Sequence, residues 1–156
     1  MTIHTDNAVN RAAIVPGELS FSVLRTQNTE NVVSQGPGEV DCITTAFTAE
    51  SMTAFVTIRA DIAAQSGGTG GTLSALAALV YRVNGGAWTG LPSYSVMSRL
   101  SNSTTYQSFE INSIKLDLPD GSIQLGLLLS CDNGSDLAQQ AKFDAMEIEA
   151  TVVFKK

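Results

Sequence analysis

SMTAFVTIRADI, from Ser51 to Ile62, decides the fold. Met52, Ala54, Val56, Ile58, Ala60 and Ile62 share one parity, while Thr53, Thr57, Arg59 and Asp61 share the other. A period of two sustained over six apolar positions describes a β-strand with one face on a core and one in water. The alternation returns near the C-terminus in KFDAMEIEATVVF. There Met146, Ile148, Ala150, Val152 and Phe154 oppose Glu147, Glu149 and Thr151, and the two glutamates read as the wet row of a strand edge.

Other segments follow the same rule. LSFSVLR sets Leu19, Phe21 and Val23 against Ser20, Ser22 and Leu24, and the β-branched run VDCITTAF, Val40 to Phe47, reads as one strand. In TYQSFEINSIKLDL, Phe109 and Ile111 share one parity and Ile114, Leu116 and Leu118 the other. The register therefore slips near Asn112-Ser113, the mark of a bulge or bend. Pro119-Asp120-Gly121 predicts a turn, after which SIQLGLLLSC turns Ile123, Leu125, Leu127 and Leu129 inward.

LSALAALVYRVN is apolar on both faces, with Leu73, Leu79, Tyr81 and Val83 on one and Leu76 and Val80 on the other. Its Ala and Leu content also suits a helix. The Asn84-Gly85 pair that ends it suits a β-hairpin, and a strand over Leu73–Val83 is preferred.

About seven to nine strands with turn signals between them predict an all-β chain. The expected architecture is an antiparallel β-sandwich, jelly-roll-like, with an extended N-terminal arm over residues 1–18 and a single domain over 19–156. Composition agrees: 44% of residues are hydrophobic and only 15% charged, a mixture for strands and turns rather than helical bundles or disorder.

Function classes narrow by exclusion. The net charge is −6, and the nine Lys and Arg are scattered, with FKK as the only adjacent pair. Nucleic acid is therefore not an expected partner, since a phosphate-binding surface needs clustered cations. No apolar run reaches membrane-spanning length, and MTIHTDNAVNRAAIVPG lacks the basic-then-apolar plan of a secretory signal. A chain made in a cytoplasm is expected. Cys42 and Cys131 are expected as buried, reduced thiols, a disulfide being the alternative.

Candidate chemistry is sparse. GGTGG lies between two apolar runs, but no Lys-Ser/Thr follows and the next segment reads as a strand. It is slack rather than a phosphate loop. His4, the only histidine, sits in the arm and leaves no basis for a Ser-His-Asp arrangement or a histidine metal site. Asp132 and Asp136 in CDNGSD are the metal candidates, though Asn-Gly flanked by Asp is also an ordinary turn, and no metal or other cofactor is expected. Trp88, Tyr94 and Tyr106 are candidates for stacking on a glycan, or for closing the end of the core.

The polar arm MTIHTDNAVNRAAIVPGELSF, the Ser/Thr/Ala/Gly-rich strands and the near absence of reactive side chains resemble small β-sandwich structural proteins of virus and bacteriophage particles. These are capsid decoration or cement proteins and tail-fibre-type domains. The resemblance implies a non-enzymatic virion protein, made in the host cytoplasm, whose arm ties it to a larger shell or fibre. A strand apolar on both faces adds the expectation of a homo-oligomer, a trimer favoured, with Leu76 and Val80 at the subunit interface. The alternative is a carbohydrate-binding β-sandwich module.

Overall fold

The computed structural model describes residues 20–34, 38–65, 73–100, 104–132 and 140–154. The arm, residues 1–18, with His4, and the glycine-rich spacer lie outside them, as does Asp136. The described residues form ten strands: β1 (Ser20–Gln27), β2 (Asn31–Val33), β3 (Glu39–Asp41), β4 (Phe47–Ala49), β5 (Met52–Ala64), β6 (Leu73–Val83), β7 (Thr89–Leu100), β8 (Gln107–Leu118), β9 (Gly121–Asp132) and β10 (Ala141–Phe154).

They form two antiparallel sheets. In the first, β1 and β2 lie along the same side of β10, followed by β5 and β8; in the second, β3 and β4 lie along β9, followed by β6 and β7. Counting each short pair as one interrupted strand leaves eight strands, in the orders 1-8-3-6 and 2-7-4-5. Successive strands thus alternate between sheets except at β6 and β7, which are consecutive and paired in the second sheet. The fold is a jelly-roll β-sandwich.

The alternation read from the sequence is what fills the space between the sheets. Even-numbered Met52 to Ile62 on β5, odd-numbered Ile123 to Leu129 on β9 and even-numbered Met146 to Val152 on β10 are all buried in one apolar cluster. Fully burying a side chain such as Ile58 or Leu125 contributes about 1.5–3 kcal/mol, so a one-residue slip of any of these strands would be prohibitive. β6 is a strand, with Ala75, Ala77 and Leu79 in the core and Tyr81 and Val83 packed at its margin. It ends in a turn where Asn84 and Gly85 have φ of 51° and 70° and the Gly86 N–H bonds the Val83 carbonyl at 2.9 Å. Positive φ at both positions matches the twist a hairpin needs.

The expected register slip in β8 is also present. Val56 pairs with Ile114 but Ile58 pairs with Ile111, leaving Asn112-Ser113 as the bulge that turns both Ile111 and Ile114 toward the core. Two expectations differ. Val40–Phe47 is not one strand: Cys42 adopts φ 51°, its N–H held by Asp41 Oδ1 at 2.8 Å, and the chain breaks into β3 and β4. Nor is the Glu147/Glu149 row at a strand edge, because β10 is paired on both sides.

Candidate interaction surfaces

The two outward faces of the sandwich differ in character. On the first sheet, polar side chains form a strut across three strands: the Arg59 guanidinium on β5 pairs with Glu110 on β8 and Glu147 on β10. Bonds from Arg59 and then Asn112 hold the Glu110 carboxyl below its usual range. One arginine neutralising two carboxylates makes a cross-strand brace rather than an acid–base pair. Toward the other end of the same two strands the Thr53 hydroxyl donates to Asp117 at 2.8 Å. Leu24 and Phe55 interrupt this polar surface, at 63% and 44% exposure.

At the rim of the same sheet the Tyr106 hydroxyl donates to Glu30. Lys142 lies 3.4 Å from that carboxylate and 5.1 Å above the tyrosine ring. Burial and the bond to Glu30 push the Tyr106 hydroxyl above its ordinary range, and the Glu30 carboxyl is correspondingly lowered. Tyr106 is thus tied into a charged cluster.

On the second sheet the outward face is apolar near its middle. Gly126 on β9 is where the surface dips: a Cβ there would stand 2.7 Å from Val40 and 3.2 Å from the six-membered ring of Trp88. The Arg82 guanidinium covers the Trp88 ring at 4.6 Å, and its Nε–H donates to Gln124 at 2.9 Å. Trp88 is therefore wedged between an arginine and a glycine. Val80, paired with Gly126, is only 2% exposed. The expectation that Val80 needs a neighbouring subunit to cover it is corrected by this packing. Leu76 and Leu128 on the same face remain half-exposed.

The candidate residues are thus not one constellation. Trp88 lies on the second sheet and Tyr106 on the first, so they do not share a stacking platform; Tyr94 is on β7, its side chain outside the described set. Asp132 ends β9, and no group of three or more metal-ligating side chains occurs among the described residues. The Arg59 brace and the Arg82–Trp88 stack were not foreseen. The period-two register of β5 does place Arg59 on the wet face, but its two partners become visible only once strand order is known.

Both thiols are free and buried. Cys42 Sγ donates to the carbonyls of Arg25 and Met146 at 3.7 and 3.6 Å, and burial pushes it up to about 11. Asp41 ties the sheets together next to it, accepting from Gln27 at 2.8 Å and Asn31 at 2.7 Å. No helix among the described residues is long and apolar enough to cross a membrane.

Solved structures share this arrangement. The chain superposes on a chain of infectious bursal disease virus, Gx strain, with a TM-score of 0.55 at 13% identity, covering 86% of this chain and 32% of that one. The likeness is one of fold. The Gt strain of the same virus gives 0.52 at 12% identity, covering 86% and 33%. T=1 particles derived from infectious bursal virus give 0.50 at 14% identity, covering 86% and 32%. The chain spans about a third of the length of these viral chains. No family model and no curated protein matches the sequence.

Proposed function

We propose that the chain is a non-enzymatic structural subunit of a virus or phage particle, of the decoration, cement or fibre type. It acts through contacts with copies of itself, as a trimer, and with a larger shell or fibre to which residues 1–18 tie it. The observation that carries this reading is the jelly-roll fold, which superposes on the infectious bursal disease virus chain over 86% of this one. The charged side chains support it. Arg59, Lys142 and Arg82 are each engaged by neighbours within the chain, which fits braces for a rigid building block. In this reading Leu76 is the subunit contact on the second sheet, with Val80 as the floor beneath it.

The test uses particles purified from the source. Quantitative mass spectrometry is expected to find the chain at a fixed copy number per particle, and cryo-electron microscopy to find a sandwich-sized density on the shell or fibre. Absence from the particles, with the chain recovered only as a free monomer, would overturn the reading.

A further inference from the structure

The sandwich has four edges, and three of them are blunted. β8 carries the Asn112-Ser113 bulge together with Glu110, Lys115 and Asp117. β7 breaks register between the partners of Ala78 and Val80 and contains Pro92. β3 and β4 are each three residues long. Bulges, charges, prolines and short strands are the means by which sheet edges avoid pairing with other chains.

β1 has none of them except a single charge, Arg25. Its eight residues pair with β10 without a shift, from Ser20↔Val153 to Gln27↔Met146, and among the described residues no strand pairs with its other side. Its outward residues, Ser20, Ser22, Leu24 and Thr26, are uncharged and exposed. Three large hydrophobics are exposed among the described residues, and two of them, Leu24 at 63% and Val32 at 36%, lie on β1 and β2 along this one edge.

The geometry points to β1 as a docking edge for β1 of a second copy of this chain, paired antiparallel about a two-fold axis. Such an axis runs perpendicular to the sheet and keeps outer face level with outer face, so residues of like parity stand opposite each other. Registers centred on Val23 or on Leu24 use most of the strand. They set Leu24 beside Ser22 or beside its own copy, and they place Arg25 opposite Phe21 or Val23 rather than opposite itself. Both therefore cover Leu24 and avoid the one like-charge clash the strand offers. The first sheets of the two copies become one continuous sheet. This contact uses neither Leu76 nor the second sheet, and stands or falls independently of the particle role.

The test is cross-linking and mass measurement on the full chain. Leu24→Cys treated with a short bis-maleimide is expected to give a covalent dimer, because cross-strand Cβ atoms lie about 4.5–8 Å apart in either register. The buried native thiols stay unreacted. Leu24→Lys is expected to weaken dimerisation by about tenfold or more in sedimentation equilibrium. Phe55→Lys, on the same face but away from the edge, should leave it unchanged. Two results overturn the proposal: equal dimerisation of Leu24→Lys and the unaltered chain, or no Leu24→Cys self-cross-link while the amides of residues 20–27 stay protected from hydrogen exchange. The second would assign the edge to residues 1–19 instead.

Discussion

Replacing Gly126 by alanine is expected to cost about 1–2 kcal/mol of stability. The added methyl would sit 2.7 Å from Val40 Cγ1, closer than carbon atoms tolerate, and 3.2 and 3.3 Å from Trp88 Cη2 and Cζ3, close enough that the ring must give way slightly. Trp88 cannot simply lift away, because Arg82 lies on its ring and is itself held by Gln124. Overpacking of this kind costs about 1–3 kcal/mol, and the reduced freedom of the unfolded chain returns about 0.4–1. With a urea slope of about 1–3 kcal/mol per molar, the midpoint should fall by about 0.3–2 M. Trp88 is the only tryptophan, so its fluorescence reports both global unfolding and the local displacement. Gly90→Ala is the control, since nothing lies within 4 Å of a Cβ there, and it should be neutral or slightly stabilising. A Gly126→Ala chain with an unchanged midpoint and emission maximum would refute the wedge described for Trp88.

Cys42 and Cys131 should resist a thiol reagent in the native state at pH 8, with both reacting on denaturation; burial keeps Cys42 protonated there. One fast-reacting native thiol would contradict this. Val80→Asp should unfold the sandwich, because the side chain is buried, whereas Leu76→Asp should leave circular dichroism intact and weaken self-association by light scattering. The Glu110 carboxyl is depressed on folding, so its contribution is present above its unfolded value near 4.5 and fades as pH falls through the lower folded value. Melting curves of the unaltered chain and Glu110→Gln should therefore differ at neutral pH and converge in acid. A constant offset down to pH 3 would be the contrary result.

Much of this architecture is written in residue parity. Met52–Ile62 shows its buried face without any knowledge of its neighbours, and the parity change between Ile111 and Ile114 locates the β8 bulge to the residue pair. What parity does not encode is adjacency. The Glu147 row reads equally well on an edge or an interior strand, and only the pairing of β10 with both β1 and β5 decides it. The break at Cys42 escaped for a local reason: a non-glycine residue at positive φ carries no compositional flag, and the flanking Val, Ile and Thr argue for continuity. Among the surface candidates, Trp88 was recognisable as a feature but its role was not. Its partners, Arg82 and Gly126, lie six residues before it and on another strand.

The position of β10 has a consequence for how the protein is made. This strand, residues 141–154, is the last of the ten to leave the ribosome, yet it lies inside the first sheet between β1 and β5. Until it emerges, the first and fifth strands have no common partner, and Phe143, Met146, Ile148, Ala150 and Val152 are missing from the space between the sheets. The apolar faces of the first sheet therefore stay without their central partner until residues 141–154 have been made. Closure then comes late and all at once, by pairings that span most of the chain, a topology that folds slowly and exposes aggregation-prone surface while it waits.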